Sequence, residues 1–430
     1  MRGRTIAGAS WTAFGYGIQQ ILRLGSNLIL TRLLVPEAFG LMALASIFVA
    51  GLEMLSDVGV GPAIIQSSRG DEQRFLDTAW TIQVIRGFFL FVVAIAIAWP
   101  AGWIYAQPRL PALVVAIGAG IVVRGFAPTR IHSLNRRVAL ARLTIVEIGV
   151  QCLTIGVMAL CAWVMHSVWA LVIGVVVGDI AKVGLSYLLL PGKRHRFVVD
   201  CDAVHEILRI GRWIVFSTAV TFVAGNIDRL TLGRLLPIRE LGIYGVALNF
   251  VTAFSSLGRS VGSRVLFPVL AETVRDTPEK MYTRLRKARF VWIISTTLGF
   301  LGFVVAGDGL IRVLYRHDYH DAGWMLSILS IGGIAGVVNQ AAGIVWPSIG
   351  EFRTITILML LQISLMWAAM LLGTTFFGVV GFVAGCASVE FLMYPVQAML
   401  LARRKLWQPE IDLPVLAVAF IASATVFFAR

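Results

Sequence analysis

Residues 28–52 read LILTRLLVPEAFGLMALASIFVAGL, and their pattern indicates what kind of protein this is. Apolar residues lie on both sides of one break, Val35-Pro36-Glu37, where the turn chemistry ends one helix and starts another. A helix that crosses the hydrocarbon layer of a bilayer needs about 20 mostly apolar residues. The stretch therefore predicts two consecutive membrane-spanning helices joined by a short turn.

The composition extends this prediction to the whole chain of 430 residues. Hydrophobic residues make up 58% of the sequence, charged residues only 14%, and the mean hydropathy is +0.83. An ordinary soluble domain has about 25% charged residues, which it needs to cover its core with a polar surface. The composition thus excludes a soluble protein. The net charge is +14, and the basic residues behind it are clustered between apolar stretches. This distribution is typical of the loops that set membrane topology and not of a nucleic-acid-binding surface.

The same apolar pattern recurs to the end of the chain. Its breaks carry proline and glycine, as in Trp99-Pro100-Ala101-Gly102 and Pro191-Gly192. The predicted fold class is therefore all-α: a polytopic membrane protein of two parallel six-helix lobes around a central cavity, followed by a C-terminal helix. The expected helices are 10–34, 38–62, 75–99, 111–131, 140–164, 168–190, 212–236, 240–267, 289–314, 322–348, 354–374, 377–402 and 413–429.

Basic residues concentrate in every second loop. They include Arg136 and Arg137 after the fourth helix and Lys193 and Arg194 after the sixth, whereas the other loops hold only scattered cations. Cytoplasmic loops carry the excess of Lys and Arg, so the N-terminus is predicted to be cytoplasmic. The polar connection 268–288 has helical charge spacing and is expected to lie along the cytoplasmic membrane surface.

An internal repeat appears at an offset of 202 residues, where Arg32-Leu33-Leu34 aligns with Arg234-Leu235-Leu236 and Gly40 with Gly242. Six helices separate the repeats, so both halves enter the membrane in the same direction, as in parallel-repeat transporters. The halves are expected to superpose by a rotation near 180° about the membrane normal. The predicted domains are an N-terminal lobe at 1–190, a cytoplasmic linker at 191–211, a C-terminal lobe at 212–402 and an additional transmembrane helix at 413–430.

Several arginines fall inside the predicted helices. An ionisable group at bilayer depth is costly unless it faces protein or water, and a guanidinium fork suits a phosphate. The alternative interpretation is structural, with paired charges that hold the bundle together. Polar neighbours such as Asn339 and Gln340 suit either sugar hydroxyls or interhelical contacts. The candidate substrate-binding cations are Arg23, Arg86, Arg124, Arg229 and Arg259.

Three acidic residues are candidates for coupling or gating: Glu53, Asp57 and Asp228. Asp57 aligns with Arg259 at the offset of 202, which predicts that the two meet across the axis near the cytoplasmic mouth as an inner gate. Three Gly-xxx-Gly pairs, at 174/178, 332/336 and 381/385, predict close approach between helices.

Catalytic and cofactor motifs are lacking in the sequence. It contains no P-loop, no G-x-S-x-G and no H-E-x-x-H. The outer segment His317-Asp318-Tyr319-His320-Asp321 is the one place that suits a membrane glycan polymerase or ligase, or a metal, although a solvated turn is the commoner use. The chain is therefore expected to be a non-enzyme without cofactor or metal.

Two N-terminal runs carry a family resemblance, 28–41 (LILTRLLVPEAFGL) and 55–61 (LSDVGVG), together with Asn226-Ile227-Asp228-Arg229 and the basic residues of 130–142. They resemble polysaccharide-transport flippases of the Wzx type, whose superfamily includes multidrug exporters and lipid II flippases. The resemblance implies translocation of a polyprenyl-diphosphate-linked oligosaccharide to the outer leaflet of the bacterial inner membrane by alternating access, with H⁺ or Na⁺ as a coupling ion.

The same resemblance implies membrane lipids as surroundings, a glycan polymerase and export machinery as partners, and a role in exopolysaccharide or lipopolysaccharide biosynthesis. A multidrug or organic-cation antiporter of the same superfamily is the alternative within this fold. It would favour acidic and aromatic groups in the cavity, against which the buried arginines argue.

Overall fold

The computed structural model describes residues 2–56, 59–67, 69–131, 140–189, 195–261, 281–343 and 345–428. These residues form helices joined by short turns and contain no β-strand, so the predicted all-α class is confirmed. The arrangement of two six-helix lobes around a central cavity stays a prediction. The helices are α1 (Arg2–Leu33), α2 (Pro36–Leu55), α3 (Val60–Gln66), α4 (Gln73–Ile104), α5 (Leu110–Gly125), α6 (Leu140–Met165), α7 (Trp169–Leu189), α8 (Cys201–Leu235), α9 (Ile238–Val261), α10 (Met281–Leu314), α11 (Ala322–Gly343), α12 (Val345–Ser348), α13 (Phe352–Arg403) and α14 (Pro409–Phe428).

Membrane-length helices dominate the described part of the chain. Nine helical stretches there are long and apolar enough to cross a bilayer. Large apolar side chains face outward, with Val305 85% and Phe376 75% exposed, as lipid-facing residues are. The protein is therefore a multi-pass membrane protein.

Two compact units divide the chain, Met1–Asn226 and Ile227–Arg430, and the boundary falls within α8. In the first unit, α4 packs on α5, α6 on α7, and α1 on α6. A Cβ at Gly174 or Gly178 of α7 would collide with Met158 or Thr154 of α6. The predicted close approach at this glycine pair is thus confirmed.

Helix α11 is the most enclosed helix of the second unit and packs against α9, α10, α13 and α14. Small residues permit these contacts on several faces at once. A Cβ at Gly332 would meet the backbone of Ala387 on α13 at 2.7 Å, and one at Gly333 would meet Phe300 on α10 at 2.6 Å. The core of this unit is therefore built around one helix, which has glycine where its neighbours α10 and α13 contact it.

Helix α13 is a hairpin of two arms that reverse at Gly378, whose φ of 57° and ψ of −134° suit glycine alone. The arms touch through backbone at Gly373 and Gly381, and a Cβ at Gly385 would lie 2.5 Å from the Ala369 carbonyl. The arms correspond to the two predicted helices 354–374 and 377–402.

The predicted helix 38–62 is wrong at its C-terminal end. Helix α2 stops at Leu55, and Gly59, in the left-handed conformation with φ 69°, precedes the separate helix α3. Helices α8 and α10 also begin earlier than predicted, at Cys201 and Met281. Residues 268–280 of the predicted surface segment lie outside the described residues, as does the end of the predicted helix 240–267 from residue 262 on.

Helix ends agree with the internal repeat. Leu33 and Leu235, where α1 and α8 end, are 202 residues apart, and so are Pro36 and Ile238, where α2 and α9 begin.

The rotation between the halves, the lobe boundaries and the cytoplasmic N-terminus stay predictions. Arg136, Arg137, Lys193 and Arg194 lie outside the described residues.

The segment 195–200 is not helical and is hydrogen-bonded along the first turns of α4. His195 Nδ1 lies 2.9 Å from Asp77 Oδ1. The backbone N–H groups of Val198 and Asp200 donate to the hydroxyls of Thr81 and Thr78. The final residues of the predicted linker, from Cys201 on, are already helical.

Candidate functional site

A charged cluster joins four helices of the first unit. On α5, Arg124 donates through Nε to Glu53 Oε1 of α2 at 2.9 Å and pairs through its Nη1 with Asp179 of α7. From α4, Arg86 donates to the Ser56 hydroxyl at 3.1 Å and to the Glu53 carbonyl at 2.6 Å. The sequence-predicted residues Glu53, Arg86 and Arg124 therefore meet in one place.

Glycine makes room for this cluster. A Cβ on Gly120, one turn before Arg124 on α5, would lie 2.5 Å from Asp179 Oδ2. Gly87 and Gly125 let α4 and α5 approach closely beside it. Sequence reasoning did not single out Gly120, because only the packing of α5 on α7 brings it to the carboxylate.

A cavity of about 190 Å³ adjoins the cluster and is lined by Glu53, Arg86 and Arg124. Two guanidinium groups and the carboxylates of Glu53 and Asp179 balance one another in charge. An anion that enters this cavity therefore has to compete with Glu53 for Arg124. A cation or proton that neutralises Glu53 would weaken one of the two carboxylate contacts of Arg124 and leave the one with Asp179.

On α1, Arg23 is exposed, and its backbone carbonyl accepts a hydrogen bond from the Ser26 hydroxyl. One turn earlier, Gln19 donates to Glu147 of α6 at 3.0 Å, and Gln151 of α6 donates to the Gln19 carbonyl. Gln19 thus serves as an interhelical contact that fixes the middle of α1 against α6.

Asp228 of α8 is buried, and each of its carboxylate oxygens accepts a hydrogen bond. The Tyr244 hydroxyl of α9 donates to Asp228 Oδ2 at 2.7 Å, and the backbone N–H of Arg229 donates to Oδ1 at 2.8 Å. The Arg229 side chain is half-buried. Asp57 lies outside the described residues, so the Asp57–Arg259 gate stays a prediction.

A larger cavity, of about 430 Å³, lies within the second unit. Arg259 of α9 lines it, so this predicted cation has a definite place in the structure. The rest of its wall combines side-chain amides, one carboxylate and two indoles, and the polar and aromatic members are Trp292, Asn339, Gln340, Trp346, Gln362, Glu390 and Gln397.

Glu390 is held in this wall by two amides. Asn339 donates through Nδ2 to Glu390 Oε2 at 2.8 Å and to its backbone carbonyl at 2.7 Å, and Gln362 donates to Oε1 at 3.1 Å. Three buried polar atoms of the same wall have no partner among the described residues: Asn339 Oδ1, Trp346 Nε1 and Gln397 Oε1.

Sequence analysis singled out Arg259, Asn339 and Gln340 of this wall but not Trp346, Gln362 or Gln397. Glu390 and Gln397 are seven residues apart, two turns of helix, so they share a face of α13. That spacing was visible in the sequence. What the sequence did not reveal is that the hairpin at Gly378 brings Gln362 back to the same face.

Arginines pair with the carboxylates of the segment 317–321. Arg316 pairs with Asp318 at 3.1 Å, and Arg239 donates to the Asp318 carbonyl and lies 3.9 Å from Asp321. Among the described residues no group of three or more His, Cys, Asp or Glu side chains is arranged to hold a metal ion. The segment therefore resembles a solvated turn more than a catalytic centre.

Comparison with known proteins gives a consistent set of similarities. A family described as "Polysaccharide biosynthesis protein" matches residues 29–323. Teichuronic acid biosynthesis protein TuaB of Bacillus subtilis is 24% identical over 79% of this chain and 70% of its own length. Lipopolysaccharide biosynthesis protein WzxC of Escherichia coli is 23% identical over 80% of this chain and 70% of its own.

A solved structure shares the fold over nearly the whole chain. The lipid II flippase MurJ, in an inward closed conformation, aligns with a TM-score of 0.75 over 98% of this chain and 92% of its own, at 13% identity. That level of identity establishes a common architecture of helices, and substrate specificity has to be argued from the residues.

Proposed function

This chain belongs to the polysaccharide biosynthesis protein family, and from that premise we propose that it is a flippase for a polyprenyl-diphosphate-linked oligosaccharide. The observation that carries the proposal is the agreement of two independent comparisons. The family match covers residues 29–323, and the fold of a lipid II flippase covers 98% of the chain. The named relatives are teichuronic acid and lipopolysaccharide biosynthesis proteins, and guanidinium groups suit a diphosphate. A glycan attached to a lipid diphosphate satisfies both observations.

Substrate binding is assigned to arginine. The diphosphate accepts bidentate hydrogen bonds from guanidinium groups, which stay charged when water is removed. Arg23, Arg86, Arg124, Arg229 and Arg259 are the candidates, and Arg259 has the advantage of lining the larger cavity.

Coupling to an ion is assigned to Glu53. Its carboxylate holds Arg124, which also binds Asp179. A proton or Na⁺ on Glu53 weakens that contact and makes Arg124 available to the diphosphate, so that ion binding and substrate binding are linked. Asp57 and Asp228 are the other candidates for coupling or gating. The Glu53→Gln protein is therefore expected to transport without dependence on an imposed H⁺ or Na⁺ gradient.

The proposed setting is the bacterial inner membrane, with the N-terminus in the cytoplasm and transport toward the outer leaflet. A glycan polymerase and export machinery would receive the product there. Deletion of the gene tests the proposal in the source bacterium. Surface polysaccharide should be lost, and its lipid-linked precursor should accumulate where an impermeant glycosidase added to intact spheroplasts does not reach it. Precursor that is cleaved as readily in the deletion strain as in the parent would refute the proposal.

A further inference from the structure

We propose that the 430 Å³ cavity of the second unit, walled by Arg259, Asn339, Trp346, Glu390 and Gln397, is a glycan subsite that binds sugar rings of the transported oligosaccharide. This inference rests on the proposed function and adds to it the place where the sugar is recognised. All of its described wall comes from helices α9 to α13, which belong to one unit, residues 227–430.

The first argument is the set of unpartnered polar atoms. Asn339, Trp346 and Gln397 are 6%, 2% and 8% exposed, and in each one side-chain polar atom has no hydrogen-bond partner among the described residues. Buried polar atoms are nearly always hydrogen-bonded in folded proteins, because leaving them unpaired is costly. Three such atoms around one cavity indicate a ligand that supplies their partners.

The second argument is the chemistry of those atoms. Asn339 Oδ1 and Gln397 Oε1 accept hydrogen bonds, whereas Trp346 Nε1 only donates. A metal cation would use the two oxygens but not the indole N–H. A sugar hydroxyl both donates and accepts, so a ring with several hydroxyls satisfies all three atoms.

The third argument is size and shape. A volume of about 430 Å³ falls in the range of small-molecule sites, roughly 300–1,000 Å³, and far exceeds the space that one ion and its waters need. Trp292 and Trp346, which are 5% and 2% exposed, add small patches of apolar surface to the wall. Amides, a carboxylate and indoles together form a wall suited to carbohydrate.

Glu390 acts as a positioning residue in this subsite. Because its carboxylate and backbone carbonyl use Nδ2 of Asn339, the Oδ1 atom of that amide is the one left for a ligand. Its other carboxylate oxygen fixes Gln362. Arg259, on the same wall, supplies a cation for the diphosphate that follows the first sugar.

The test uses the purified full-length protein in nanodiscs and two probes. One is the lipid-linked oligosaccharide extracted from the source bacterium, and the other is undecaprenyl diphosphate, which has no sugar. Gln397→Met removes the unpartnered Oε1 at nearly constant length. It should weaken binding of the glycan-bearing lipid roughly tenfold, as expected for one lost buried hydrogen bond, and leave undecaprenyl diphosphate binding unchanged.

Thermal stability separates this result from a structural effect. Without ligand, Gln397→Met removes an unsatisfied buried atom, so its melting temperature should equal or exceed that of the wild type. Trp346→Phe provides a second variant with the same expected selectivity. Trp367→Phe, on α13 with its side chain 53% exposed, is the matched control and should bind both lipids as the wild type does.

Each outcome has a defined meaning. If the wild type prefers the glycan-bearing lipid but Gln397→Met and Trp346→Phe keep that preference, the subsite is wrong and the flippase proposal stands. If both variants weaken both lipids equally, the cavity does not recognise sugar and the subsite is equally wrong. If the wild type binds neither lipid, the proposed function itself fails.

Discussion

Arg289 of α10 and Asp412 of α14 form an ion pair with 2.8 Å between Nη2 and Oδ1, and each side chain is only 1% exposed. Gln408, just before α14, extends the contact by accepting from Nη1 of the same guanidinium at 3.5 Å. A buried ion pair therefore joins helix α14 to helix α10 in the second unit.

Removing one partner of this pair should be strongly destabilising. Asp412→Ala leaves a buried guanidinium without its carboxylate, which costs about 3–5 kcal/mol in the free energy of unfolding. Chemical denaturation in detergent measures it. The exposed pair Arg312–Asp308, with 63% and 49% exposed side chains, provides the control, and Asp308→Ala should cost less than about 1 kcal/mol. Equal losses from the two substitutions would contradict the structural role of Arg289–Asp412.

In the cluster around Arg124, neutralising Glu53 and neutralising Arg124 should lower the stability of the protein by different amounts. Glu53→Gln leaves Arg124 paired with Asp179 and should cost about 1 kcal/mol or less, since Glu53 is 34% exposed. Arg124→Gln leaves Glu53 and Asp179 without their shared cation and should cost roughly 2–4 kcal/mol. Thermal melts of both proteins in one detergent check the order, and the reverse order would show that Arg124 is not the centre of the cluster.

Gly120 predicts a steric effect on the same cluster. In Gly120→Ala the new methyl group lies 2.5 Å from the present position of Asp179 Oδ2 and has to displace it from Arg124. The melting temperature should fall and transport should weaken. Gly156→Ala on α6, where a Cβ meets nothing within 4 Å, is the matched control and should be neutral or stabilising by up to about 1 kcal/mol. A Gly120→Ala protein as stable as the control would argue against a fixed ion pair at Asp179.

His195 predicts a pH dependence outside the membrane spans. The pKa of His195 lies below its ordinary value of 6.5, chiefly because burial disfavours the imidazolium; the charge of Arg130 adds to this, and the hydrogen bond to Asp77 opposes it. Below pH 6.5 the unfolded chain therefore binds a proton that the folded chain does not, so stability present above this pH is lost as the pH falls toward the lower folded pKa.

The measurement is the melting temperature between about pH 7.5 and pH 5.5, the range in which histidine titrates. The wild type should lose more stability over this range than His195→Gln, which has no imidazole to protonate. Parallel curves for the two proteins would mean that His195 titrates alike in the folded and unfolded chain.

Substitutions of Arg23 are expected to impair transport without impairing folding. Arg23→Ala should abolish translocation and Arg23→Lys should weaken it, because a lysine ammonium cannot make the planar two-pronged contact with a diphosphate. The exposed position of Arg23 predicts that both proteins keep the wild-type melting temperature. Full transport by Arg23→Ala would remove this residue from the binding site.

Much of the fold followed from the sequence, because apolar runs of membrane length admit few alternatives. Each predicted helix has a counterpart, and α1, α2, α8 and α9 keep the 202-residue spacing. The errors lie at helix ends. Gly59 takes a left-handed conformation that hydropathy does not reveal. Helix α10 begins at Met281, earlier than predicted, because the charged residues of 281–287 lower the hydropathy of a segment that is helical and continuous with the membrane span.

The candidate site was less predictable, since hydropathy identifies a charge in a helix but not its partner. Arg124 was expected to face a cavity, and it also binds Glu53 and Asp179. The cavity around Glu390 depends on the hairpin at Gly378, which brings Gln362 and Glu390 together from residues far apart along α13. Such contacts follow from tertiary packing and not from local sequence.

Translocation in proteoliposomes tests the central claim most directly. The purified protein is reconstituted with the source bacterium's lipid-linked oligosaccharide, and an impermeant glycosidase is added outside. With the wild-type protein the glycosidase should cleave nearly all of the lipid-linked glycan, because molecules from the inner leaflet reach the outer one. Vesicles with Arg23→Ala should stop at the fraction that starts in the outer leaflet. Wild-type vesicles that stop at that same fraction, under H⁺ and Na⁺ gradients of either direction, would contradict the assignment as a flippase.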